Sequence, residues 1–356
     1  MSSTGVTDWD LVCSEQWKVG LSSSMYMVGL MLGSIVVGYL SDRFGRRPSL
    51  LVMIVLSTVS CVAGVFCPEF WSYTVTRVII GLGAQGLFII GFSLSIEIVG
   101  AKETLPYLDW ITYKVVLANF IHIPFALGQA VLTLLAYYFN DWRRLQLCMS
   151  VITALQLIAW FFTPESPRWL FAKNRVEKAT ELVLEGSRKN KKPLLTSLLL
   201  ALENYTEETK STKEISKPDT IGFINLFHRP QLFQTILLIL LWPITAIGYY
   251  GIALSMSAIG DNAFLSNALA ALIEIPSYFF LVLMMDVWGR RPLFTLSMLL
   301  NALSCFGAAF TDAGLKTTFA LLGKLFASTS FALVYILTAE LYPTQVRNTA
   351  IGINYT

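Results

Sequence analysis

Charged side chains are scarce in the apolar stretches of this sequence, and their placement is the first clue to its chemistry. Glu274 lies inside an apolar run twelve residues before Asp286, which puts it roughly 18 Å from the end of a helix rising ~1.5 Å per residue. Lys324 precedes Glu340 by sixteen residues, or roughly 24 Å, in the far half of its helix, from where its long stem can snorkel outward. An ionisable group held in hydrocarbon is costly, so each is a candidate for function. Arg77, nearer the end of its run, suits a structural role equally well. Pro276 follows Glu274 by two positions and removes a backbone donor, freeing a carbonyl to face a polar cavity. Tyr278, Phe279 and Phe280 share that run, and Tyr249 and Tyr250 lie in the preceding one. An acid among ring faces suits an ammonium group, through charge attraction and cation–π contact, although any one ring serves equally well as packing. His122 reads as a hydrogen-bonded core histidine. The five cysteines form no CxxC pair and stand beside no histidine cluster, which argues against structural zinc or a redox site. With no paired acid and base and no convincing nucleophile in the apolar runs, the chain is not read as an enzyme and no cofactor is implied.

A second set of charges repeats. Asp42-Arg43-Phe44-Gly45-Arg46-Arg47-Pro48 returns as Asp286-Val287-Trp288-Gly289-Arg290-Arg291-Pro292. Glu97 and Glu340 close the second apolar run after each copy. Repetition of this kind reads as two similarly built halves in parallel.

The elements that must position these groups are membrane helices. Of 356 residues, 55% are hydrophobic and only 14% charged, with a mean hydropathy of +0.61, whereas soluble domains carry about 25% charged residues. Nine runs reach the roughly 20 residues needed to cross hydrocarbon as helix: about 19–41, 49–67, 72–97, 115–139, 145–163, 231–255, 262–285, 293–311 and 317–339. Alternating the connections places twenty Lys and Arg on one face and four on the other, so the face bearing the repeated motif is expected to be cytoplasmic and the amino terminus outside. The net charge of +3 is spread out, which gives no support to a nucleic-acid partner. The expected organisation is an extracellular segment at 1–17, an amino-terminal half at 18–163, a cytoplasmic linker at 164–229 and a carboxy-terminal half at 230–356. Trp169, Leu170, Val176, Ala179, Leu182 and Val183 recur at helical spacing, which predicts amphipathic helices in the first part of the linker.

With Thr7-Asp8-Trp9-Asp10-Leu11-Val12-Cys13, the doubled Asp-x-x-Gly-Arg-Arg signature, Pro164-Glu165-Ser166-Pro167-Arg168-Trp169-Leu170, and Ala339-Glu340-Leu341-Tyr342-Pro343-Thr344-Gln345-Val346-Arg347-Asn348, the chain resembles the major facilitator superfamily. Within it the match is to the organic ion transporters of solute carrier family 22. The resemblance implies an all-α polytopic membrane fold in which the nine spans correspond to family helices 2–10. Helix 1 and helices 11–12 of a complete member have no counterpart here, so the sequence reads as a fragment, a partial gene model or a truncated isoform. The implied activity is alternating-access transport at the plasma membrane. The duplicated charges then become an inner gate formed by Asp42, Gly45, Arg46, Arg47, Glu97 and Arg168, with Asp286, Gly289, Arg290, Arg291, Glu340 and Arg347 in the second half; snorkelling membrane anchors are the plainer reading of the same residues. Glu274 before Pro276, with Tyr278 where anion carriers usually place a lysine, resembles the cation and carnitine branches. The implied partners are the lipid bilayer and a small organic cation or zwitterion bound by Glu274, Tyr278, Tyr249, Tyr250 and Lys324. An anion or sugar carrier, or a transport-inactive truncated form, is the alternative, and coupling to Na+ or H+ is left open.

Overall fold

A run of apolar residues in a bilayer must satisfy its backbone internally, and the described apolar runs of this chain do so as helices. The computed structural model describes residues 4–98, 122–139, 141–189, 229–259 and 262–341. In chain order the helices are α1 (Gly5–Asp8), α2 (Trp17–Phe44), α3 (Arg46–Val65), α4 (Phe70–Ile98), α5 (His122–Tyr138), α6 (Trp142–Phe162), α7 (Pro167–Ala172), α8 (Val176–Lys189), α9 (Arg229–Ile259), α10 (Ala263–Leu272), α11 (Glu274–Trp288), α12 (Arg290–Phe310) and α13 (Ala313–Leu341). Among the described residues, eight helical stretches are long and apolar enough to cross a membrane, with α10 and α11 together forming one of them. The expected span at 115–139 is represented by α5, and its first residues lie outside the described ones.

Two features set the packing. Along α2, Gly29 and Gly33 face the backbone of α4 so closely that a Cβ would lie 2.1 Å from the Val78 carbonyl oxygen and 2.5 Å from that of Leu82. Small residues four apart thus let two helix backbones touch where lipid provides no hydrophobic drive between them. The other feature is α13, whose residues from Phe331 to Ile336 are all buried. A helix apolar on every side belongs in the middle of a bundle, and α13 packs against α9, α11 and α12. At the rim, by contrast, α6 exposes Leu155, Ile158, Phe161 and Phe162, the surface expected of a helix facing hydrocarbon.

The expected span at 262–285 is met by α10 and α11, with a local turn between them at Ile273. Pro276 has no N–H to donate to the carbonyl of Leu272, and its ring crowds that carbonyl. The helix accordingly ends at Leu272, turns through Ile273 and restarts at Glu274. Ser277 Oγ donates to the Glu274 carbonyl at 2.6 Å, supporting the restart.

The amino-terminal motif has a structural task as well. Trp9 donates to the Pro68 carbonyl at 3.2 Å and packs among Phe70, Tyr73 and Trp142, while Asp8 accepts from Trp142 Nε1 at 3.0 Å. These contacts strap α1 across the ends of α4 and α6. Helices α7 and α8 pack together, with Trp169, Leu170 and Ala179 buried between them. Residues 190–228 lie outside the described ones.

Candidate functional site

The buried charge centre joins α9, α11 and α13. Glu274 is the first residue of α11, and its side chain is completely buried. Tyr249 Oη donates to Glu274 Oε1 at 2.8 Å and Tyr278 Oη donates to Oε2 at 2.9 Å. Lys324 Nζ lies 2.8 Å from Oε1, with side-chain exposures of 1% and 0% for the pair. The same ammonium stands over the Tyr249 ring, 3.4 Å from its centroid.

Of the five residues expected at this site, Glu274, Tyr278, Tyr249 and Lys324 meet directly, and Tyr250 lies beside them against Tyr249 and Phe331. Lys324 does not snorkel outward as its depth suggested. A carboxylate within reach of its stem offers far more than a distant headgroup, and the pair offsets two desolvation costs at once. Phe279 is half exposed.

An aromatic wall extends from the charge pair. Trp242 packs edge-on against Tyr335 at 4.6 Å and donates to Thr338 Oγ1 at 3.1 Å; Phe331 stacks on Tyr249 at 4.7 Å. From the first half, Phe88, Phe92 and His122 reach Tyr335, and His122 also meets the Tyr278 ring. The two halves therefore meet one helical turn from Glu274. Trp242, Phe331 and Tyr335 carry no charge and sit in helices without amphipathic periodicity, so nothing in the sequence marked them. His122 is buried, as expected of a core histidine.

At one end of the bundle lies the first copy of the repeated motif. Gly45 adopts φ 107° and ψ 163°, open to glycine almost alone, and a Cβ there would stand 2.7 Å from Glu165 Oε2. The turn sends Arg46 inward. Its Nε and Nη2 donate to the two oxygens of Glu97 at 3.0 and 2.9 Å, Nη2 lies 3.1 Å from Asp42 Oδ1, and Nη1 donates to the Ser41 carbonyl at 3.1 Å. A bidentate, charge-assisted contact of this kind fixes orientation as well as distance. Arg47 turns instead to the Trp160 ring, 4.8 Å away.

Glu165 completes the lock. It accepts from the backbone N–H of Arg46 at 2.9 Å and of Arg47 at 3.2 Å, placing a carboxylate on the unsatisfied donors at the start of α3. Trp169 Nε1 donates to the Asp42 carbonyl at 3.0 Å. Both residues lie in the segment from Pro164 to Leu170, of which the sequence pattern singles out Arg168 instead. Arg168 is half-buried and makes no ion pair among the described residues.

In the second copy, Gly289 adopts a similar backbone, with φ 79° and ψ 165°. Arg290 reaches Glu340 Oε1 at 3.4 Å, with the two side chains 24% and 40% exposed. Arg291 is exposed. Arg347 and the side chain of Asp286 lie outside the described ones.

The sequence model of the family described as "Sugar (and other) transporter" matches residues 6–356. Among curated proteins, the chain is 32% identical to an organic cation transporter-like protein of Drosophila melanogaster, over 98% of this chain and 62% of that protein. It is 30% identical to the human organic cation/carnitine transporter 2, over 99% of this chain and 62% of the relative. The chain thus spans about three-fifths of the length of the curated relatives it matches. Among solved structures, a proton:xylose symporter of the major facilitator superfamily bound to 6-bromo-6-deoxy-D-glucose superposes with a TM-score of 0.73 at 20% identity, over 96% of this chain and 76% of that one.

Proposed function

Because the chain belongs to the sugar (and other) transporter family and has a major facilitator fold, we propose that it moves small organic cations or zwitterions across the plasma membrane by alternating access. The observation that carries this reading is the buried carboxylate of Glu274, held by two tyrosine hydroxyls beside a ring face and already in contact with an ammonium group. A desolvated cation over an aromatic ring gains about 2 kcal/mol or more beyond its charge attraction. The site lies where α11 and the aromatic wall of α13 meet α5 of the other half, so relative movement of the halves changes its access. That relatives are named organic cation and carnitine transporters agrees with this chemistry.

The repeated motif serves as the gate in this reading. Asp42, Gly45, Arg46, Arg47 and Glu97, with Glu165 added, close one end of the first half. Asp286, Gly289, Arg290, Arg291, Glu340 and Arg347 do so in the second, and Arg168 borders the linker. This face is cytoplasmic by its excess of Lys and Arg.

Uptake into proteoliposomes of labelled tetraethylammonium and of a trimethylammonium carboxylate tests the assignment. Glu274→Gln preserves shape and removes charge, and uptake per inserted molecule is expected to fall about tenfold or more, a loss of about 1.4 kcal/mol of binding. Wild-type uptake by this variant would sink the role of Glu274. Epitope tags at the amino terminus and after Arg188, read with and without permeabilisation, check the orientation and should label opposite faces.

A further inference from the structure

The lysine in the buried centre occupies the place a ligand's ammonium would take. A carboxylate offers about four lone-pair positions, and Glu274 has filled three of them, with Tyr249, Tyr278 and Lys324. Lys324 Nζ has three hydrogens to place, and its polar contacts among the described residues are one carboxylate oxygen, 2.8 Å away, and the face of Tyr249. These are the two contacts that recognise any organic ammonium.

We propose that Lys324 is a tethered resident of the cation subsite and the residue that sets its specificity: a ligand binds by putting its own ammonium on Glu274 and the Tyr249 face while its carboxylate takes the displaced Lys324. The inference rests on the proposed transport site and narrows its ligand to zwitterions. The resident pair is neutral. A plain monocation that displaced Lys324 would leave an ammonium stranded in a buried, largely apolar core, and an unpaired buried charge is the costly outcome of splitting an ion pair. A zwitterion exchanges one ion pair for two, and the net charge of the centre does not change. The four-carbon stem of lysine supplies the swing that a fixed guanidinium would not.

Direct binding to the chain in lipid nanodiscs tests this with two probes that differ only in the carboxylate: 4-(trimethylammonio)butanoate and its methyl ester. The wild type is expected to bind the zwitterion at least about tenfold more tightly than the ester. Lys324→Met should erase or reverse that ratio, because the ester then meets a vacant carboxylate. The neutral pair Glu274→Gln with Lys324→Met guards against a folding defect from an unpaired acid; it should bind both probes weakly, with a ratio near one. Equal wild-type affinity for the two probes, an unchanged ratio in Lys324→Met, or no wild-type binding of either probe overturns the inference. So does ester binding accompanied by release of one proton into weakly buffered solution, since Lys324 would then have been neutralised rather than paired. Uptake of cations with an unchanged probe ratio removes this inference alone, whereas absence of any cation or zwitterion uptake removes the transport reading beneath it.

Discussion

The two copies of the seven-residue motif share five identities and a glycine turn, but they build different contacts. Around Arg46 the structure gathers Glu97, Asp42 and the Ser41 carbonyl, with the guanidinium nearly buried. Around Arg290 the ion pair with Glu340 is longer, and both partners are substantially exposed. The difference comes from a third element. The segment from Trp160 to Trp169 folds back onto the first copy, where Glu165 caps α3, Trp169 holds the Asp42 carbonyl and Trp160 covers Arg47. Buried, multiply bonded pairs are costly to break because a charge is stranded, whereas exposed pairs contribute little in water. One motif therefore yields a firm lock and a soft one, and the surroundings decide which.

Breaking the firm lock should produce the largest effect. Arg46→Ala strands Glu97 and is expected to cost about 3 kcal/mol, read by equilibrium unfolding in mixed micelles; a loss below that of Arg290→Ala would dissolve the distinction. Next come the turns. Gly45→Ala and Gly289→Ala both strain the backbone, at about 1–3 kcal/mol, but only the first drives a Cβ into Glu165, so its loss in the same assay should be the larger. Equal losses would mean that Glu165 yields freely. Third, Glu165→Gln retains an acceptor for α3 and removes the charge, which should cost about 1 kcal/mol; because Gln keeps the shape of Glu, the extra penalty at Gly45 should persist beside it and disappear beside Glu165→Ala in a double-mutant cycle. The smallest effect is expected for Arg290→Ala, within about 1 kcal/mol, and it should shrink further in 1 M salt, where charges are screened beyond about 3 Å.

Much of this arrangement was legible in the residues. Continuous apolar runs gave the spans, and duplication of the motif grouped Arg46 with Glu97 in one cluster and Arg290 with Glu340 in the other, without saying which charges pair. The Glu274–Lys324 contact was half legible. Counting along the helices put the two at depths about 6 Å apart, a gap that a lysine stem covers, but depth does not say which way a flexible side chain turns. Pro276 signalled a freed carbonyl without showing that the helix would break at Ile273. Glu165 was hidden for a different reason: it caps a helix that begins 119 residues earlier in the chain, and such partnership leaves no local pattern. Trp242, Phe331 and Tyr335 share the blindness of any residue in a helix that is apolar all round.

The buried pair also has a history within each molecule's synthesis. Glu274 and Lys324 are fifty residues apart, and a ribosome adds about 5–20 residues per second. Glu274 thus reaches the insertion machinery roughly 3–10 s before its partner exists, while a lone charge at mid-helix carries an insertion penalty of about 3 kcal/mol. During that interval the hydroxyls of Tyr249 and Tyr278 are the partners already made for the carboxylate, and the charge that balances it arrives only with α13. The order of synthesis thus makes the tyrosines the first partners of this acid and the lysine the last.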